Sequence, residues 1–244
     1  MTTVATIEAR MTSSRLPGKV LMEAGGKPLL AHLVNRLKAV TSIDKICLAT
    51  TTNTSDDVLV DFALREEISV YRGSEHNVLS RVIGAAESVG ADNIVEITGD
   101  CPIIDPEIVE QAIRIYHCNN SDYVSNAKVL SWPVGMDVQV FSLATLRRSQ
   151  SMTSDPLDEE HVASHIRRHP EIFSHLNIVA PPSAHWPELG LTLDEHDDYV
   201  LIKKIIEYFG DGNHLFSCQE AINLLRAHPD WVGINHHVSR KGDE

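Results

Sequence analysis

Aromatic side chains are scarce, 5% of the 244 residues, so Leu, Ile, Val and Ala must carry the packing. The 43% hydrophobic share is ample for a core, and the length suits one large α/β domain better than two. Residues 1–20 lack the long apolar core of a signal peptide. No run elsewhere approaches the ~18 apolar residues of a membrane span, so a soluble cytoplasmic chain with no membrane partner is expected. Cysteines stand only at 47, 101, 118 and 218, with no CxxC pair, which argues against a disulfide framework or a zinc site. The 13 histidines are dispersed, and the closest pairs, His161 with His165 and His236 with His237, have no evident third ligand. Positive charge is in deficit. A net charge of −13 speaks against nucleic acid as a partner, because a phosphate backbone needs a basic face. Neither a Walker A loop nor a GxGxxG turn is present.

Against that acidic background, Arg10, Arg15 and Lys19 stand within ten residues of one another. They follow a strand-like run, Val4-Ala5-Thr6-Ile7, in the segment Glu8-Ala9-Arg10-Met11-Thr12-Ser13-Ser14-Arg15-Leu16-Pro17-Gly18-Lys19. Ser13, Ser14 and Gly18 let main-chain N–H groups approach anionic oxygens, and the cations can neutralise them. The segment reads either as a polyphosphate loop or as a solvated basic turn.

Apolar runs at 3–9, 45–51, 68–71 and 93–98 read as strands. Between them, 27–40, 55–66 and 76–89 carry helical spacing. Asp56 and Asp57 suit the first turn of the second helix. Asp105-Pro106 starts another helix, through about 117. Such β–α repeats predict a doubly wound, mostly parallel sheet with helices on both faces and ligands at the carboxyl ends of the strands. After residue 120 the rhythm changes. Strands are expected at 122–126, 134–142, 174–180 and 189–194, and helices at 143–151, 160–169, 195–209 and 217–227. Residues 152–160 read as a polar stretch. The expectation is one domain, 1–244, with a β-rich insertion at about 122–180 and a frayed tail at Arg240-Lys241-Gly242-Asp243-Glu244.

Asp100 and Asp194 each end a short β-prone segment. Facing one cleft, they would suit Mg²⁺, which takes oxygen ligands and shares substrate phosphates. Taken singly, each reads rather as a turn residue or helix cap. Cys101 reads as a small buried filler rather than a nucleophile.

Several motifs together resemble the cytidylyltransferases related to CMP-3-deoxy-manno-octulosonate (CMP-KDO) synthetase. They are Arg10-x-x-Ser13-x-Arg15-Leu16-Pro17-Gly18-Lys19, Gly26-Lys27-Pro28-Leu29, Thr98-Gly99-Asp100-Cys101-Pro102-Ile103 and Leu191-Thr192-Leu193-Asp194. Tyr71-Arg72-Gly73-Ser74-Glu75-x-x-Val78-Leu79, Trp132-Pro133-x-Gly135-Met136-Asp137-Val138 and Glu160-His161-Val162 resemble the spore-coat polysaccharide biosynthesis F branch. The resemblance runs to about residue 209. It implies the nucleotide-diphospho-sugar transferase type of α/β fold, CTP as co-substrate, Mg²⁺ as cofactor, a sugar-like acceptor and a homodimer. It further implies that Ala9, Arg10, Ser13, Ser14, Arg15 and Lys19 hold the triphosphate, with Arg72, Gly73, Ser74 and Arg81 beside the nucleoside. Asp100 and Asp194 would hold the metal; Arg15, Lys19 and Asp100 would be catalytic. Pro133, Gly135, Asp137, Glu160 and His161 would face the acceptor or form the dimer.

Three departures bear on the acceptor. The branch often has arginine at the positions of Glu96 and Gly190, and an acidic residue at that of Ser80. Either the acceptor is less anionic than usual or local pairs are rearranged. Two other readings keep the fold: a non-catalytic nucleotide-binding homologue, and a glycosyltransferase, for which the weak Asp211-Gly212-Asn213 is the one DxD-like run.

Overall fold

The computed structural model describes residues 1–239; the tail from Arg240 lies outside them. Alternation within each strand builds the fold. Val4 of β1 (Thr3–Glu8) packs into one core and Ala5 and Ile7 into another. The same split recurs in β4 (Lys45–Thr51), where Cys47 and Ala49 oppose Ile46 and Leu48, and in β6 (Asn93–Thr98), where Ile94 opposes Val95 and Ile97. A strand buried on both faces needs helices on both, and the helices divide accordingly. On one side lie α1 (Leu29–Lys38), α2 (Asp57–Arg65), α4 (Pro106–Cys118), α8 (His196–Phe209) and α9 (Cys218–Ala227). On the other lie α3 (Val78–Ser88), α5 (Leu143–Gln150) and α7 (Ser164–Arg168).

The sheet has seven strands in the order β5-β4-β1-β6-β8-β7-β9, with β5 at Ser69–Gly73, β7 at Tyr123–Ser125, β8 at Gln139–Ser142 and β9 at His175–Asn177. β5, β4, β1 and β6 run parallel, β8 is antiparallel to both its neighbours, and β9 is parallel to β7. The expected doubly wound, mostly parallel α/β architecture is present, and 122–180 supplies three strands of the same sheet. A two-stranded hairpin, β2 (Glu23–Ala24) and β3 (Lys27–Pro28), precedes α1 and takes the first two residues expected of that helix. A short last helix, α10 (Pro229–Val232), follows α9. Among the described residues no helix is long and apolar enough to cross a membrane.

The later segments depart from the expectation. Only Gln139–Ser142 of 134–142 is strand, because Asn126 takes the ladder's place: its amide donates to the Met136 carbonyl at 2.6 Å and accepts from the Val138 N–H at 2.7 Å. Residues 189–194 form no strand but a single bridge, Val134 to Gly190. The helix expected at 160–169 is two helices, α6 (Pro156–Glu160) and α7. Asp155 caps the first by accepting from Leu157 N–H at 3.0 Å, and Pro156 occupies its first position, inside the stretch read as merely polar.

Gly135 sits at φ 100°, and a Cβ there would lie 2.5 Å from the Leu191 carbonyl oxygen. Gly135→Ala is therefore expected to cost about 2 kcal/mol, read as a lowered midpoint in urea.

Candidate active site

The carboxyl ends of β1, β4 and β6 meet at one edge of the parallel half-sheet. The chain leaves β1 through buried Ala9 and returns at Gly18, whose N–H donates to the Met11 carbonyl at 3.0 Å. Asp56 anchors this loop. Fully buried, its carboxylate accepts from Met11 N–H (2.8 Å), Thr50 Oγ1 (3.1 Å), Thr51 N–H (3.2 Å) and Thr51 Oγ1. Asp56 therefore sits at the N-cap position of α2, one residue ahead of the first turn expected for it, with no side-chain cap hydrogen bond; Asp57 does begin that helix. Asp56→Ala is expected to cost about 3 kcal/mol by thermal denaturation, since it orphans several buried donors, and to weaken nucleotide binding through the loosened loop.

Arg10 reaches Glu75 at 3.3 Å, and Glu75 also accepts from Thr12 Oγ1 (2.6 Å) and Asn53 Nδ2 (2.7 Å). Those hydrogen bonds from Thr12 and Asn53, assisted by the charge of Arg10, hold the Glu75 carboxyl below its ordinary range. Ser13 is half-buried and Ser14 exposed in the same loop.

Lys19 opens a 3₁₀ turn after Gly18 and points back under the sheet edge. Its Nζ lies 3.0 Å from Asp100 Oδ2 and 3.3 Å from Asp194 Oδ1, and also donates to the Leu193 carbonyl. Arg15 joins from above, with Nη2 2.6 Å from Asp194 Oδ1. Neither aspartate is a helix cap: α8 is capped by Glu195 in a reciprocal box with Asp198. Burial lowers the Lys19 pKa, but the two carboxylates outweigh it and hold the ammonium above its usual range. Burial raises the Asp100 pKa in the same way, and Lys19 with Thr98 outweighs that, holding it below the usual range. Gly99, just before Asp100, must be glycine in this setting, because a Cβ would meet the Glu8 carbonyl oxygen at 2.7 Å.

Two carboxylates turned on one cationic point are the hard-oxygen donor set that Mg²⁺ accepts when substrate phosphates and water complete the shell. Among the described residues no group of three His, Cys, Asp or Glu forms a fuller cage.

Arg72 donates to the carbonyls of Thr51 (2.8 Å) and Asn53 (2.7 Å) and to Asp57 (2.7 Å), bracing β4 and β5 where they open toward the loop. Arg81, buried in α3, donates through Nη1 to the carbonyls of Ser74 and Glu75 and so shapes the segment after Gly73. Pro133, Gly135 and Asp137 lie on the turn that bridges to Gly190, and Asp137 is near enough to Cys101 to act on its charge. Burial, Asp100 and Asp137 together push the Cys101 thiol well up, in keeping with a packed and unreactive residue. Glu160 and His161 are exposed where α6 meets α7, and α6 packs against α3. Glu96 accepts from Gln139 Nε2 at 2.9 Å, and the Gly190 carbonyl accepts from Asn235 at 3.0 Å. Sequence reasoning missed Glu75 and the anchoring role of Asp56, because neither sits in a spacing that announces a tertiary partner.

A half-parallel α/β sheet with a cationic loop after β1, and Asp100 and Asp194 beside that loop, is the architecture of a nucleotidyltransferase. The chain belongs to the cytidylyltransferase family, whose model matches residues 4–219. It is 34% identical over 231 residues to the spore coat polysaccharide biosynthesis protein SpsF of Bacillus subtilis, covering 92% of this chain and 94% of that one. A cytidylyltransferase structure from Leptospira borgpetersenii superposes with a TM-score of 0.91 at 27% identity, over 99% of this chain and 100% of the other. CMP-2-keto-3-deoxy-manno-octonic acid synthetase, solved in complex with CTP, shares the fold with a TM-score of 0.63 at 16% identity, over 85% and 99% of the two chains.

Proposed function

We propose that this cytidylyltransferase moves CMP from CTP to a sugar or sugar-like acid, or to its phosphate, with release of pyrophosphate, in the assembly of a surface polysaccharide. The observation that carries this reading is the convergence of Lys19 on Asp100 and Asp194 beside the Arg10–Lys19 loop. Arg10 and Arg15 rest on Glu75 and Asp194, and a triphosphate offers each guanidinium a stronger anionic partner. Ser13, Ser14 and the loop N–H groups take the remaining phosphate oxygens, while the segment Arg72-Gly73-Ser74, shaped by Arg81, lies along the nucleoside. An acceptor oxygen attacks the α-phosphorus in line. Lys19 and Arg15 then stabilise charge on the departing pyrophosphate, so catalysis is mostly positioning and electrostatics. Asp100 and Asp194 are the residues that would hold Mg²⁺, which supplies Lewis acidity at the phosphates when bound.

The test is a screen of the four nucleoside triphosphates against acidic sugars and phosphorylated small molecules, reading pyrophosphate. Release with CTP and one acceptor class is expected. Folded protein that binds CTP and yet releases no pyrophosphate with any acceptor would make it a non-catalytic homologue.

A further inference from the structure

Asp194 reaches the site from a segment that is not part of the sheet. Residues 189–194 make one bridge, Val134 to Gly190, so no ladder holds the backbone that carries this carboxylate. Leu191 N–H donates to the Val134 carbonyl at 2.7 Å and Leu193 N–H to the Asp100 carbonyl at 2.8 Å. The Gly190 carbonyl and the Asp194 N–H turn to side chains instead. Asp198 Oδ2 accepts from Asp194 N–H at 3.0 Å and from Glu195 N–H at 2.9 Å. Asn235 Nδ2 donates to Asp198 Oδ1 at 2.7 Å and to the Gly190 carbonyl at 3.0 Å. The amide of Asn235 thus closes a clamp that grips the segment at Gly190 and, through Asp198, at Asp194.

The clamp is dry: Asp198 is 0% and Asn235 2% exposed. Hydrogen bonds there are strong, and losing the Asn235 donor leaves two buried acceptors short of a partner. A neutral amide suits the place, since it satisfies a buried carboxylate without bringing a cation that would compete with a metal for Asp194. Asn235 stands after α10, beyond the residues 4–219 that the family model matches. Turns fix its own backbone: Ile234 N–H donates to the Trp231 carbonyl and Val238 N–H to the Asn235 carbonyl, each at 3.0 Å. A metal carboxylate must be held to within about 0.5 Å of its working position, and here side chains do what a ladder does elsewhere.

We propose that Asn235 is a positioning residue for Asp194: acting through Asp198, it fixes the backbone from which the Asp194 carboxylate meets Mg²⁺, without touching substrate or metal itself. This rests on the nucleotidyl-transfer reading above, in which Asp194 is a metal ligand. The test is calorimetry of CTP binding without acceptor, in EDTA and in saturating Mg²⁺. Mg²⁺ is expected to tighten CTP binding by the wild type. In Asn235→Ala the Kd for CTP in Mg²⁺ should rise about tenfold, while the Kd in EDTA changes less than about twofold. Asn235→Ser, which keeps one donor for two acceptors and disturbs the segment less, should show the same split at several-fold. Val238→Ala loosens the same buried segment while leaving the Asn235 amide in place. It should lower the melting temperature and keep the full Mg²⁺ effect. The inference is overturned if Asn235→Ala and Val238→Ala weaken the Mg²⁺ effect alike, if neither Asn235 variant weakens it, or if the loss appears equally in EDTA. Absence of any Mg²⁺ effect in the wild type overturns it too, whereas the transfer reading is decided separately, by pyrophosphate release in the acceptor screen.

Discussion

Asp100→Asn is expected to abolish pyrophosphate release, lowering kcat by about 10³-fold or more, with little loss of fold. Asparagine keeps the shape and one oxygen but removes the anion that, with Asp194, would anchor a metal over the phosphates. The fold survives because Lys19 keeps two partners, Asp194 Oδ1 at 3.3 Å and the Leu193 carbonyl. The measurement is steady-state pyrophosphate release beside a thermal unfolding curve. A variant retaining a tenth of the wild-type rate would remove Asp100 from the chemistry.

Lys19→Met is expected to lose activity and stability together. The Lys19 and Asp194 side chains are each 11% exposed, so removing the ammonium leaves two facing carboxylates with no cation between them except Arg15 at the rim. Breaking a buried pair in this way costs about 3 kcal/mol, roughly 6–12 °C of melting temperature for a chain of this size. If Asp100 and Asp194 also bind Mg²⁺, millimolar Mg²⁺ should recover more melting temperature in Lys19→Met than in the wild type. Equal responses would argue that the two carboxylates are a structural pair only. The wild-type network has a defined pH window. Asp100 is held below its ordinary 3.8, so its contribution is present above that value and is lost as pH falls through the depressed one. Lys19 is held above its ordinary 10.5, so its contribution is present below that value and is lost as pH rises through the elevated one. Across neutral pH the pair's contribution is flat.

The parallel half of the fold was legible because its signals are local. Strand runs at 3–9, 45–51 and 93–98 are short β-prone stretches rich in apolar residues, and the cap at Asp105, with Pro106 at the first helical position, acts locally; Asp105 accepts from Glu107 N–H at 2.8 Å. The region after residue 120 was less legible. There Asn126 replaces a backbone ladder with its side-chain amide, and Gly135 turns the chain where alternation of Val134, Met136, Val138 and Val140 had suggested one long strand. Asp56 shows the same limit. By sequence it is a first-turn carboxylate, and only the return of Met11 to its side makes it the anchor of the loop.

From sequence alone came the composition that excludes other classes, the β–α rhythm, the cationic loop and the candidate pair Asp100 and Asp194. Those features depend on residue type and on spacing over a few positions. Tertiary structure decided that Lys19 stands between partners 81 and 175 residues away, and that neither aspartate is spent on a helix cap. A parallel sheet is what makes the difference. It brings the carboxyl ends of distant strands to one edge, so charges with no relation along the chain neutralise, repel or wait for a ligand there.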